Sequence, residues 1–183
     1  MTPDLLSNLP SRIHMILEEG AKEGASRIAF TDEDGAEWSY RRLIDTVADV
    51  AGKMAELGVR PGDRVMVVCE NSIAAIVLMY AASRLDAWSV MTSARLSSRE
   101  IDLIKEDSSP RCVFYTHTIS SEADAHARRH GATLEVFDEI GRVKVGSLDA
   151  GTMAESVESD PAKQVATLIY TTGTTGRPKG VML

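Results

Sequence analysis

The sequence predicts an α/β protein with a layered α/β/α arrangement, in which a mostly parallel sheet lies between helices and follows an N-terminal β-hairpin. Three observations lead to this class. Short apolar runs alternate with helical segments over residues 64–137, as in repeated strand–helix units. Runs such as "CVFYT" are apolar without alternation, which is typical of strands covered on both faces. The last such run leads directly into a segment rich in threonine and glycine, "TTGTTGRPKG".

The N-terminal part of the chain contains two helical segments on either side of a hairpin. Residues 11–24 are predicted to be helical because Ile13, Ile16 and Leu17 share one face. "RIAFTDEDGAEWSY" places Asp and Gly between two apolar runs, which predicts a β-hairpin. From residue 40 to 57 apolar side chains recur at steps of three and four, which predicts an amphipathic helix.

A tight turn starts the repeated strand–helix units. In "RPGD", Pro61 and Gly62 occupy the central positions, where a fixed φ and then a positive φ are required. The strand "RVMVVC" follows the turn directly. Ser97 and Glu100 have the spacing of a capping box at the start of a helix. The predicted ranges beyond the first strand are helices at 72–85, 98–107 and 120–130 and strands at 88–92, 111–116 and 133–137.

The apolar pattern is lost over residues 141–164, which are small, polar and acidic and are predicted to be a surface connection. "VATLIYTT" then predicts a buried strand, so residues 168–183 combine a strand with the threonine- and glycine-rich loop. That loop therefore lies at the C-terminal end of a strand, where open α/β sheets bind their ligands.

Composition and charge exclude several classes of function. A net charge of -7 without a basic cluster argues against nucleic acid binding. The longest apolar run, at 73–82, is far shorter than the roughly 20 residues of a membrane-spanning helix. No targeting signal opens the chain, which predicts a cytoplasmic protein.

Cys69 and Cys112 lie in apolar runs and are interpreted as buried thiols, with a disulfide or a reactive thiol as the alternative. His126 and His130 have metal-ligand spacing, but no third ligand accompanies them.

The threonine- and glycine-rich loop has the chemistry of a phosphate site, although it fits neither the Walker loop nor the dinucleotide fingerprint. Its glycines let backbone N–H groups approach an oxyanion, and its threonine hydroxyls are neutral donors. Lys179 and Arg177 supply positive charge, while Pro178 favours an extended backbone. The alternative is a flexible linker, which seldom follows a buried strand so abruptly.

"YTTGTTGRPKGVML" resembles the phosphate-loop signature of the adenylate-forming superfamily, which includes acyl-CoA and aryl-CoA synthetases, luciferases and the adenylation domains of peptide synthetases. The resemblance covers about residues 12–183 and includes the "GVRPGDRV" turn. It implies that residues 1–183 form a partial N-terminal domain of such an enzyme. Thr172 stands where the family often has serine and keeps the hydroxyl, whereas departures at "LDAW" and at residues 92–94 leave the subfamily and the substrate open.

The resemblance also implies a two-step reaction with ATP, Mg²⁺, a carboxylic acid and coenzyme A. The acid is activated as an acyl-adenylate and is then transferred to the thiol of coenzyme A. The positions that match the family's nucleotide-binding motif are Thr171, Thr172, Gly173, Thr174, Thr175, Gly176 and Lys179. None of them is a catalytic acid or base.

In such enzymes the adenine-binding and ribose-binding segments and the catalytic lysine lie further along the chain. The 183 residues are therefore expected to be incomplete and inactive alone. Two alternatives stay open: another adenylate-forming enzyme, and a non-catalytic nucleotide-binding module. Exposed edge strands also leave self-association open.

Overall fold

The computed structural model describes residues 10–32, 34–172 and 178–183, and it confirms the predicted α/β class. The helices are α1 (Met15–Lys22), α2 (Tyr40–Glu56), α3 (Ile73–Arg84), α4 (Ser98–Ser108) and α5 (Ser121–Arg129). The strands are β1 (Ile28–Thr31), β2 (Glu37–Ser39), β3 (Arg64–Cys69), β4 (Trp88–Ser93), β5 (Cys112–Tyr115), β6 (Leu134–Val136), β7 (Val143–Val145), β8 (Thr167–Thr172) and β9 (Pro178–Met182).

The main sheet is parallel at its centre and antiparallel at both edges. Its strand order is β6-β7-β5-β3-β4-β8-β9, and the pairs β5–β3, β3–β4 and β4–β8 are parallel. At the edges β6, β7 and β9 pair antiparallel with their neighbours. A short connection that includes one 3-10 turn, Asp138–Ile140, joins β6 to β7. Such a connection is too short for a parallel crossover, which explains the antiparallel edge.

Helices cover both faces of the sheet, so β3 is buried on both sides. Val65 and Val67 pack in the core formed with α2 and α3, whereas Met66 and Val68 pack in the core formed with α4 and α5. Alternate residues of a strand point to opposite faces, and here both faces are apolar. This arrangement explains why the "RVMVVC" run shows no alternation. β1 and β2 form the predicted hairpin, which is a two-stranded sheet separate from the main sheet.

Serine caps set the start of four helices. Ser39, Ser72 and Ser120 each accept a hydrogen bond from a backbone N–H in the first turn that follows. The predicted capping box is confirmed: the Ser97 backbone N–H donates to Glu100 Oε2 at 2.8 Å, and the Glu100 N–H donates to Ser97 Oγ at 3.3 Å. The α1 segment has no side-chain cap and begins at Met15, later than the predicted start at residue 11.

The segment at 141–164 is not wholly a surface connection, which corrects the prediction. Val143 and Val145 form β7 with Lys144 between them, and both valines are buried against the sheet. The alternation extends over only three residues inside a polar stretch. Long-range pairing with β5 therefore selects the strand more than the local sequence does.

The remaining part, residues 146–164, crosses the edge of the sheet where the parallel strands begin, and is called the strap below. Arginine side chains donate to its backbone carbonyls. Arg111 Nη1 lies 2.7 Å from the Asp149 oxygen, and Arg60 Nη2 lies 3.2 Å from the Thr152 oxygen. Arg12 Nη2 lies 3.1 Å from the Glu158 oxygen. These hydrogen bonds fix the strap against the sheet, although most of its residues are exposed.

β8 was predicted to be buried, and this is wrong for part of the strand. Leu168 is buried, but Ile169 is 42% exposed and its partner on β9, Val181, is 46% exposed. The run of apolar letters did not reveal that β8 is followed by the edge strand β9. No helix in the described part of the chain is long and apolar enough to cross a membrane.

The interpretation of the two cysteines as buried free thiols is confirmed. Burial is the main cause that raises the pKa of Cys69 to about 11 and the pKa of Cys112 to about 12. Both side chains are therefore protonated near neutral pH and are weak nucleophiles. His126 Nε2 lies 3.1 Å from the Ala94 carbonyl oxygen, in a contact separate from those of His130.

His130 links β5 to α4 through a chain of hydrogen bonds that runs from the buried Tyr115 to the half-exposed Asp102. The Tyr115 hydroxyl lies 2.5 Å from His130 Nδ1, and His130 Nε2 lies 2.9 Å from Asp102 Oδ1. The carboxylate accepts from Nε2–H, so Tyr115 donates to Nδ1 of the neutral ring. Burial lowers the pKa of His130, opposed by its hydrogen bond with Asp102 and assisted by the charges of Arg129 and Lys105.

Because the pKa of His130 is lower in the folded state, the unfolded chain binds a proton first as the pH falls. We expect the free energy of unfolding of the wild type to fall relative to that of His130→Gln as the pH is lowered from 7 toward 5. Above about pH 7.5 the difference should be constant, because the histidine is then neutral in both states. Urea denaturation at several pH values measures the difference. A constant difference across this range would contradict the assignment.

Candidate nucleotide-binding site

The predicted site lies where the parallel strands end. β3, β4, β5 and β8 run in the same direction, so their carboxyl ends share one edge of the sheet. The helix after β3 covers one face, whereas the helix after β4 covers the other. A reversal of this kind opens a crevice beyond the strand ends, and open α/β sheets bind ligands there.

The β8–β9 hairpin brings two of the predicted phosphate ligands opposite each other. Thr171 pairs with Lys179, and the backbone of Thr172 pairs with Pro178. Side chains directly opposite in an antiparallel pair have Cβ atoms about 5 Å apart. Both Thr171 and Lys179 are exposed. Of the remaining predicted ligands, Gly173, Thr174, Thr175 and Gly176 lie outside the described residues, as does Arg177.

Lys179 is exposed near the start of β9. Within residues 10–32, 34–172 and 178–183, no carboxylate forms an ion pair with its ammonium group. An exposed cation beside a hydroxyl donor at a strand end suits a phosphate oxygen. Pro178 begins β9 at the sheet edge, a position where the missing N–H of proline is tolerated.

A polar network at the same edge was missed by the sequence analysis. Arg95 Nη2 donates to Glu70 Oε2 at 2.6 Å, and Ser120 Oγ donates to Glu70 Oε1 at 3.0 Å. Hydrogen bonds from Arg95 and then Ser120 lower the pKa of Glu70. Glu70 directly follows β3, Arg95 comes two residues after β4, and Ser120 caps the helix after β5. Their positions after parallel strands were the signal that could have predicted the cluster.

A groove of about 610 Å³ adjoins this network on the α3 side of the sheet. Its polar lining includes Glu70 and Arg95, and methionines contribute to its apolar lining. The apolar lining residues are Ala75, Ile76, Met79 and Met91. The edge of the sheet therefore offers an anion-binding hairpin and, beside it, a groove with both apolar and charged walls.

The described residues contain no group of three or more His, Cys, Asp or Glu side chains that could hold a metal ion. Mg²⁺ needs no such cage when it accompanies a nucleotide, because it keeps several waters and uses phosphate oxygens as ligands. The Thr171 hydroxyl at the hairpin provides an oxygen ligand of the kind that fits such a shared ion.

The chain belongs to the AMP-binding enzyme family, and its fold is that of the N-terminal part of adenylate-forming enzymes. The sequence model of that family matches residues 17–183, which confirms the resemblance seen in the motif.

Individual relatives support the same class. Long-chain-fatty-acid–CoA ligase FadD13 of Mycobacterium tuberculosis is 32% identical over 149 residues, which cover 76% of this chain and 27% of the relative. The 4-hydroxybenzoate–CoA/benzoate–CoA ligase of Rhodopseudomonas palustris is 29% identical over 184 residues, covering 91% of this chain and 32% of the relative. The crystal structure of ATP-bound MatB from the same organism has a TM-score of 0.68 at 27% identity and covers 96% of this chain and 35% of that chain. The chain thus spans between 27% and 35% of the length of these relatives.

Proposed function

We propose that the β8–β9 hairpin, with residues 173–177, holds the β- and γ-phosphates of ATP in an ATP-dependent carboxylate–CoA ligase. The observation that carries the proposal is the cross-strand pair of Thr171 and Lys179, both exposed at the carboxyl edge of the parallel strands. The CoA-ligase activities in the names of two relatives support the reaction class.

In the first step a carboxylate oxygen attacks the α-phosphorus of ATP, and the bond from that phosphorus to the bridging oxygen of the β-phosphate breaks. The products are an acyl-adenylate and pyrophosphate, and no proton is transferred. Both reactants are anions, so repulsion and alignment oppose the attack. Lys179 supplies positive charge, and Thr171, Thr172, Thr174 and Thr175 supply hydroxyl donors.

In the second step the thiol of coenzyme A attacks the acyl carbon and AMP leaves. The thiol gives its proton to solvent as the thioester forms. Mg²⁺ would share the charge of the phosphates in the first step, bound by phosphate oxygens and held beside the threonine hydroxyls. Gly173 and Gly176 would let backbone N–H groups approach the phosphates.

The proposal is tested by calorimetric titration of the chain with ATP, inorganic tripolyphosphate and adenosine. We expect tripolyphosphate and ATP to bind with similar affinity and adenosine to show no binding, because the candidate ligands of the hairpin address phosphates. Rising salt should weaken both interactions. The proposal would be contradicted if adenosine bound as tightly as ATP and tripolyphosphate did not bind.

Replacing Lys179 with alanine should weaken tripolyphosphate binding by about 10-fold to 100-fold, the range for losing a charge-assisted contact. Lys163→Ala is the matched control, because Lys163 is an exposed lysine of the strap, paired with Asp160 at 3.6 Å. It changes the net charge equally but lies at the opposite end of β8 from Lys179. Equal losses in the two variants would show that only net charge attracts the polyphosphate.

A further inference from the structure

The outer half of the hairpin has little support from the sheet. β8 pairs with β4 only from Thr167 to Ile169. Beyond Ile169, the described residues of β8 pair with β9 alone, and β9 is the edge strand of the sheet. The part of the hairpin that carries Thr171 and Lys179 therefore needs another contact to fix its position against the fold.

Tyr170 provides such a contact. Its hydroxyl donates to Asp107 Oδ2 at 2.6 Å, and Asp107 lies in the last turn of α4. The tyrosine ring also packs against the apolar core between the sheet and α4. A hydrogen bond to a carboxylate is stronger than one between neutral groups. This hydrogen bond joins residues far apart in the sequence and connects the hairpin to α4, which packs on one face of the main sheet.

Gly180 leaves room for the tyrosine ring on the neighbouring strand. Tyr170 and Gly180 are directly paired, and a Cβ added to Gly180 would lie 3.0 Å from Tyr170 Cζ. This pair is adjacent to the Thr171–Lys179 pair and lies one residue farther from the loop. Because successive side chains point to opposite faces, the ring packs on one face while Thr171 and Lys179 occupy the other.

We propose that Tyr170 and Asp107 are positioning residues for the phosphate-binding hairpin, an inference that rests on the proposed function. Their hydrogen bond fixes the hairpin against α4 and so sets Thr171 and Lys179 in one arrangement. Burial is the main cause that raises the pKa of Tyr170, and the adjacent Asp107 adds to it. The hydroxyl therefore stays protonated and remains the donor across the neutral range.

The test compares Tyr170→Phe with the wild type in two measurements. Phenylalanine keeps the ring over Gly180 and removes only the hydroxyl. Amide hydrogen exchange of the ligand-free chain should accelerate at residues 179–182, with exchange in β3 unchanged. The affinity for tripolyphosphate should fall by about tenfold, as expected for a lost hydrogen bond to a charged group. Tyr80→Phe is the matched control, because Tyr80 is half-buried on α3 and no described group is hydrogen-bonded to its hydroxyl.

The Asp107 variants provide a second test. Asp107→Asn keeps an oxygen acceptor and should retain most of the affinity, whereas Asp107→Ala should match Tyr170→Phe. The double variant Tyr170→Phe/Asp107→Ala should be no weaker than either single variant, because both remove the same bond. Normal affinity in Tyr170→Phe, with or without faster exchange, would overturn the positioning role and leave the proposed function intact. Failure of the wild type to bind tripolyphosphate would overturn both.

Discussion

Replacing Gly62 with alanine is expected to lower the free energy of unfolding by about 3 kcal/mol, because two costs fall on one residue. Gly62 has a φ of +79°, a conformation that disfavours any side chain. An added Cβ would also lie 2.0 Å from the backbone oxygen of Glu155 in the strap. A backbone atom cannot rotate away, and the Glu155 N–H already donates to the Gly62 oxygen at 2.8 Å. The strap would have to move from the turn.

Gly35→Ala separates the two costs. Gly35 has a similar φ of +82°, but a Cβ added there meets no atom within 4 Å. We expect this variant to lose only about 1 kcal/mol, the cost of the backbone conformation. Urea denaturation of both variants at pH 7 measures the difference. Equal losses of unfolding free energy in the two variants would show that close contact with the strap adds no cost at Gly62.

Replacing Asp63 with alanine is expected to cost about 3 kcal/mol, because the carboxylate is fully buried and serves several donors. Asp63 Oδ2 accepts from the Arg60 backbone N–H at 2.7 Å, and Oδ1 accepts from Arg60 Nη2 at 3.1 Å. Arg111 Nε lies 3.7 Å from Oδ2, and the Arg111 side chain is only 9% exposed. Without the carboxylate, the turn loses its internal acceptor and Arg111 loses its nearby negative charge.

Asp138→Ala is the control for this second variant. Asp138 is 87% exposed and pairs with Arg142 at 3.5 Å, so its removal should cost less than about 1 kcal/mol. Denaturation midpoints and slopes of the two variants, measured in parallel, show the contrast. A loss at Asp63 as small as that at Asp138 would contradict a structural role for the buried carboxylate.

Local patterns predicted the centre of the fold because each feature depends on neighbouring residues. The capping box of Ser97 and Glu100 spans one helical turn, and the positive φ of Gly62 follows from the Pro-Gly turn. The apolar run of β3 reflects burial by helices on both faces. In each case the sequence and the final packing favour the same conformation.

Features that depend on distant residues were not predictable in the same way. Val143 and Val145 become a strand only because β5 and β6 flank them, and nothing in the nearby sequence indicates which edge they join. The contact of Gly62 with Glu155 joins residues that are far apart in the sequence. Tyr170 is a plain strand residue by local pattern, and its bond to Asp107 follows from the tertiary fold.

For the candidate site, the sequence predicts the chemistry, which stays a prediction, and indicates only part of the arrangement of the described residues. The composition of the loop indicated phosphate binding, and the family match supports that class. The sequence did not show that Thr171 and Lys179 are paired across two strands. It also gave no indication that Glu70 and Arg95 meet at the same edge, since that contact depends on the order of the strands.

The most direct test of phosphate binding at the hairpin is an amide NMR titration of the ¹⁵N-labelled chain with tripolyphosphate. The largest shift changes are expected in β8 and β9 around Thr171 and Lys179 and in the residues between the strands. Arg60 and Arg111, whose side chains donate to the strap, form the competing basic region at the opposite edge of the sheet. Shift changes centred there, with the hairpin amides unmoved at saturation, would contradict the account.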